Sequence, residues 1–195
     1  TVAAGMAATG LLTDWFRRHL AGGVDYGQLF AEAADVPAGS NGLSVLPYFS
    51  GERTPIHDPD ARGVFAGLSL AHGRAEIFRA ILEGVAYGIR HNLEAMRAAD
   101  APIDRVVAVG GGTTGDLWPQ IVSDVTGLQQ EIPIAGAGAV LGDAFLGAVA
   151  AGDKATEDLD DWIGISNTLV PSGSMVYEPP YEKYLALYPA VKGAM

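Results

Sequence analysis

Cysteine is absent from this chain. That removes disulfide frameworks, zinc knuckles and thiol nucleophiles from consideration, and it fits a reducing, cytoplasmic setting. Basic residues are scarce: 12 Lys and Arg face 23 Asp and Glu, for a net charge of −11. Nucleic acid and anionic membranes both reward clustered cations, so neither is an expected partner. The same charge repels a free polyphosphate unless a cation such as Mg²⁺ accompanies it. No apolar run approaches the length of a membrane span, and no signal-peptide pattern opens the chain. His19, His57, His72 and His91 are scattered without ligand spacing, so a metal held by protein side chains alone is not expected. There is no G-x-S-x-G elbow for a hydrolase triad. Asp58 and Asp60 stand two apart in a Pro-rich turn and are read as serving that turn. No carboxylate stands out as a general base.

What is present describes a globular chain. Of 195 residues 49% are hydrophobic and 18% charged, enough for one well-cored domain or one domain with a short appendage. It opens Thr1-Val2-Ala3 without an initiator Met and is read as a piece of a longer protein. Apolar residues at helical spacing predict helices over Leu11–Leu20, Tyr26–Ala34 and, longest, Arg74–Ala98, where Ile77, Ile81, Val85, Ile89, Leu93 and Met96 form a core stripe. Glu76 and Glu83 on that helix are read as dipole partners and surface charges. Leu43–Phe49 and Val64–Leu68 are strand candidates, the first limited by Pro47. Between them Ser50–Gly63 is a charged, turn-rich loop, either functional or a solvated excursion. Downstream come a strand at Leu128–Ile132, a small-residue helix at Val140–Ala151, an acidic stretch at Asp153–Asp161 and a terminal helix at Tyr181–Val191. Strands alternating with helices indicate an α/β domain.

The most distinctive stretch is Asp104–Thr126. Val106–Val109 reads as a buried strand, Gly110, Gly111 and Gly112 as a turn, and a helix follows from near Asp116, which is placed to cap it. Such a turn brings backbone N–H groups against a phosphate or nucleotide, or is simply a tight connection. It fits neither the Walker P-loop nor G-x-G-x-x-G.

Three ordered motifs resemble the C-terminal domain of the FGGY family of carbohydrate kinases, xylulokinases above all. The first is Pro47-Tyr48-Phe49-Ser50-Gly51-Glu52-Arg53-Thr54-Pro55 with Asp58-Pro59 and Ala61-Arg62-Gly63. The second is Gly63-x-Phe65-x-Gly67-Leu68 followed by Glu76-Ile77-x-x-Ala80-Ile81-Leu82-Glu83. The third is Val109-Gly110-Gly111-Gly112 with Leu117-Trp118-x-Gln120-Ile121-x-x-Asp124.

The resemblance implies an actin-like, ribonuclease-H-like ATPase domain with a mixed sheet flanked by helices. Residues 1–152 would be the nucleotide-binding domain, and 153–195 its acidic loop and terminal helix. It implies ATP and Mg²⁺ as cofactors, and Gly10, Asp14, Gly111, Gly112, Thr113 and Asp116 on the nucleotide side. Asp14 stands where relatives are expected to carry a glutamine. Glu52, Arg53 and Thr54 would belong to a substrate or interdomain loop. Ala135–Leu141 departs from the family's Ala-Leu-Gly-Ala-Ala pattern and is given no binding residue. The catalytic base, an aspartate, and most sugar contacts would lie upstream of Thr1, in an N-terminal domain acting in cis. Expected partners are a small sugar and ATP, with a second copy of the chain as a further option. Two other functions remain open at this point. One is a catalytically silent sugar or nucleotide sensor with the same fold. The other is a nicotinamide-dependent dehydrogenase, which would use Glu131 as its ribose-binding acid.

Overall fold

A computed structural model describes residues 2–134 and 138–195. Its assembly centres on one helix, α3 (Arg74–Ala98), which forms over the span its periodicity predicts. The Gly73 N–H donates to Glu76 Oε2 at 2.8 Å and closes the first turn. Six elements pack on α3: α1 (Gly10–His19), α2 (Tyr26–Ala34), the 3₁₀ turn Ser40–Gly42, β1 (Ser44–Leu46), α4 (Leu117–Thr126) and α7 (Glu178–Val191). Enclosure on so many sides buries Phe78–Gly88 completely, rather than along one stripe. At Gly84 a Cβ would stand 2.6 Å from the Val45 carbonyl oxygen, so glycine is what lets α3 lie directly on β1.

That enclosure corrects the reading of Glu83 as a surface charge, since it is 1% exposed. Its Oε1 accepts from Arg79 Nε at 2.8 Å and from the Gly39 N–H at 3.1 Å, and its Oε2 accepts from Ser40 Oγ at 2.8 Å. Arg79 in turn donates to the Tyr177 hydroxyl at 2.7 Å. A helix with no solvent face in its middle must pair its charges internally, because an unpaired buried charge costs several kcal/mol. The network also joins α3 to the Gly39–Gly42 turn, where four successive residues have positive φ.

β1 pairs antiparallel with β2 (Val64–Ala66), Ser44 opposite Ala66 and Leu46 opposite Val64. β1 is shorter than expected because Pro47, lacking an N–H, follows it. β3 (Gln130–Pro133) pairs antiparallel with β4 (Ile165–Leu169). The pattern gave no warning of β4, whose three central residues are all exposed. Val106–Val109, expected as a buried strand, makes only one parallel bridge, Val107 to Glu131, and Val109 is 59% exposed. The Glu131 N–H and carbonyl bond Val106 and Ala108 at 2.9 Å, after which Gly110, at φ 106°, turns the chain away. β3 therefore has one antiparallel and one parallel neighbour, so this part of the sheet is mixed.

α2 is capped by Asp25, which accepts from the Gln28 N–H at 3.0 Å. α4 is not. Asp116 has helical φ and ψ and makes no capping hydrogen bond, because a residue already in the α region does not hold its side chain over the first free N–H groups. In α5 (Gly138–Ala151) only Phe145 is buried, and no atom lies within 4 Å of a Cβ built at Gly142 or Gly147. Small residues such as these permit close helix packing, but no neighbour takes that place among the described residues. Ala135–Ala137 lie outside the described residues. After the short α6 (Leu159–Ile163), α7 starts three residues before its expected first turn. It is held through Tyr181 and Tyr184, both buried, and the Tyr184 and Tyr48 hydroxyls are 2.9 Å apart.

Replacing Glu83 by Ala should destabilise the domain by about 3–5 kcal/mol, since Arg79 would be left buried without its partner. Urea unfolding measures this, and a loss below about 1 kcal/mol would show that the network is dispensable.

Candidate nucleotide site

The glycine turn rests on a fixed floor. Gly111–Thr113 form a single 3₁₀ turn, closed by the Thr113 N–H and hydroxyl donating to the Gly110 carbonyl at 3.1 and 2.8 Å. The Trp118 ring lies beneath it: a Cβ on Gly112 would come within 3.2 Å of that ring, whose Nε1 donates to the Leu82 carbonyl of α3 at 3.2 Å. On the other side nothing lies within 4 Å of a Cβ position at Gly110 or Gly111. Among the described residues the Gly111 and Gly112 N–H groups have no acceptor. The turn therefore presents main-chain donors on an open side and an indole on the closed side, an arrangement suited to a flat base with a polar edge.

Gly10 opens α1, also with free space beside it, and its carbonyl accepts from the Thr13 hydroxyl at 2.8 Å. Asp14, one turn on, pairs with Arg17 at 3.1 Å and Arg18 at 2.6 Å. Those arginines stand three and four residues along the same helix face, the spacing at which ion pairs form. Gly10 and Asp14 are carried by α1, and Gly111, Gly112, Thr113 and Asp116 by the lead into α4. Both helices pack on α3, and no hydrogen bond joins the two groups among the described residues.

Sequence reasoning quoted Gln120 and Asp124 without assigning them a task. Asp124, 8% exposed, accepts from the Ser172 N–H at 2.6 Å, the Gly173 N–H at 3.3 Å and Gln120 Nε2 at 2.9 Å. These side chains therefore fasten the segment after β4 to α4. A cavity of about 230 Å³ lies elsewhere, between Ile103–Val106 and Leu128–Glu131. There Arg105 holds Glu131 at 2.6 Å and also contacts Asp160, so the acid a dehydrogenase would require is already paired.

The Ser50–Gly63 loop is anchored rather than loose. Glu52 is 4% exposed, its Oε1 accepts from the Arg53 N–H at 2.8 Å, and its Oε2 has no partner among the described residues. Burial pushes its carboxyl above the usual range. The Thr54 hydroxyl accepts from the Gly5 N–H at 2.7 Å and donates to Asn92 Oδ1 at 2.6 Å. Asp58 accepts from the Asp60 N–H at 3.0 Å, as its turn position suggests, and from the Tyr188 hydroxyl of α7 at 2.6 Å. Glu52 and Thr54 are thus supports, and Arg53 alone of the three is exposed.

Comparison with known proteins decides the family. The model for the FGGY family of carbohydrate kinases, C-terminal domain, matches residues 1–151. The chain belongs to this family. It is 31% identical over 189 residues to a xylulose kinase of Bacillus subtilis, covering 95% of this chain and 38% of that protein. It is 34% identical over 167 residues to a gluconokinase of the same species, covering 80% and 33%. The crystal structure of xylulose kinase from Rhodospirillum rubrum superposes with a TM-score of 0.85 at 35% identity, covering 97% of this chain and 39% of that one. The chain spans about two fifths of the length of the relatives it matches. As a C-terminal domain of FGGY kinases it has their actin-like ATPase fold, and the silent-sensor and dehydrogenase readings are not favoured.

Two measurements probe this region. Gly110→Ala places a Cβ at φ 106°, which costs about 1–3 kcal/mol of local strain. It should weaken ATP binding roughly tenfold by calorimetry, whereas Asp14→Asn should change it less than threefold if the arginine pairs are Asp14's whole task. The Tyr188 hydrogen bond, foremost, holds the Asp58 carboxyl below its ordinary pKa. A depressed folded-state pKa gives stability that is present above the unfolded pKa of about 3.9 and is lost as pH falls through the folded one. Tyr188→Phe should therefore raise the Asp58 titration midpoint seen by NMR; an unchanged midpoint would remove Tyr188 as the cause.

Proposed function

We propose that this chain is the ATP-holding C-terminal half of a carbohydrate kinase that transfers the γ-phosphate of ATP to a sugar hydroxyl. The acceptor class is a ketose such as xylulose, or a polyol. The observation that carries this reading is the family match together with the open glycine turn over Trp118, which offers main-chain donors to the adenosine end of ATP. No Lys and no Walker-type Ser or Thr stands in that turn, so it is not equipped to grip a γ-phosphate. Gly111, Gly112, Thr113 and Asp116 would hold the base and its sugar, and Gly10 at the start of α1 would face the phosphates.

Phosphoryl transfer depends mainly on alignment and on neutralising charge, so a domain that only orients ATP makes a large contribution. Magnesium is the divalent ion proposed. Among the described residues no three His, Asp or Glu side chains converge on one point. The described residues thus offer no preformed cage for it. The general base, with most sugar contacts, is proposed to lie in an N-terminal domain acting in cis. Cytoplasmic action is part of the same proposal. No helix among the described residues is long and apolar enough to cross a membrane.

The full-length gene product should consume ATP when given D-xylulose or a related sugar, while residues 1–195 alone should bind nucleotide without phosphorylating it. A coupled ADP-release assay distinguishes the two. Robust phosphorylation by residues 1–195 would overturn the placement of the base, and absence of ATP binding by the full-length protein would overturn the function.

A further inference from the structure

Nine arginines occur in the chain, and eight have an evident task. Arg17, Arg18, Arg74, Arg79, Arg90 and Arg105 pair with carboxylates. Arg62 donates to the carbonyls of Pro59 and Ala61, and Arg97 sits in the last turn of α3, where positive charge suits the helix dipole. Arg53 is the exception. Like Arg62 and Arg97 it has no carboxylate within 4 Å among the described residues, but unlike Arg62 its guanidinium makes no hydrogen bond there, and unlike Arg97 it ends no helix, which leaves it open to a ligand.

Its backbone is held on both sides. The Arg53 N–H donates to Glu52 Oε1 at 2.8 Å, and its carbonyl accepts from the His57 N–H at 2.6 Å. Glu52 and Asp58 exchange both backbone hydrogen bonds, at 2.8 and 3.0 Å, and Thr54 is tied to Gly5 and Asn92. Only the side chain is exposed, and it lies across Gly5, where a Cβ would come within 3.4 Å of the guanidinium. Gly5 precedes Gly10 by five residues, a span of at most about 17 Å. The guanidinium therefore stands within a ligand's length of the start of α1, on a hydrogen-bonded base.

We infer that Arg53 is an anion-binding side chain that takes the oxygens of a phosphate group, either the terminal phosphate of a nucleotide or the phosphate of a sugar monoester. A planar guanidinium donates two parallel N–H groups to such a group, and a rigid loop spares the ordering entropy that otherwise weakens the contact. The inference deepens the kinase reading and rests on it for the identity of the phosphate, though not for the existence of the site.

The test uses the full-length gene product with inorganic phosphate, ATP and xylulose 5-phosphate as separate calorimetric probes. Variants are Arg53→Ala, Arg53→Lys and, as a matched charge control, Arg97→Ala. Arg53→Ala should weaken inorganic phosphate about tenfold, Arg53→Lys should recover part of the loss, and Arg97→Ala should match the unmodified protein. Loss confined to xylulose 5-phosphate assigns the sugar monoester, and loss confined to ATP assigns the nucleotide; either supports the site. Equal affinities for all three probes in Arg53→Ala and the unmodified protein would overturn it, as would an equal loss in Arg97→Ala. ATP binding that fails in the unmodified protein while the phosphate result holds would sink the kinase reading and leave the anion site standing.

Discussion

The buried pair of Arg79 and Glu83 is the constraint on which the rest of this domain depends. α3 has neighbours around its whole middle, so its two charges are answered by each other, the Gly39–Ser40 turn, the Ala33 carbonyl of α2 and Tyr177. Such a pair adds little net stability compared with well-packed apolar residues, yet breaking it is expensive. Its consequence is geometric: it fixes the approach to β1 on one side and the approach to α7 on the other. With those set, α1 and α4 pack on a helix that cannot rotate.

Placing the candidate site follows from that. Gly10 stands at the start of α1 and the glycine turn at the entry to α4, two elements joined through α3. The Trp118 indole bonded to the Leu82 carbonyl ties the turn directly to the buried middle of α3. A nucleotide held there is held by backbone and by one ring, which suits a role in orientation.

α7 is more than a tail. Through Tyr181 and Tyr184 it completes the core, and through Tyr188 it holds Asp58, so the loop carrying Arg53 is stiffened from the far end of the chain. Charge-assisted hydrogen bonds of this kind fix position more than they add stability on an exposed surface.

Local signals in the sequence determined a good deal. The 3.6-residue repeat over Arg74–Ala98 yields α3 to the residue, and the Gly110–Gly112 run turns the chain as its composition dictates, because each depends on residues close together in the sequence. The ordered family motifs were legible too, and with them the fold. Tertiary structure alone decided the rest. Glu83 looked like a surface acid until the elements around α3 closed over it. β4 was invisible because its centre is exposed and carries no alternation. Val106–Val109 looked like a buried strand, since apolar composition does not reveal how many partners a strand will find. Asp116 had the right residue type for a cap and the wrong backbone angles. Asp14 met two arginines on its own helix face, while Arg53 met no carboxylate among the described residues, a contrast set by which side chains the fold brings within 4 Å of each other.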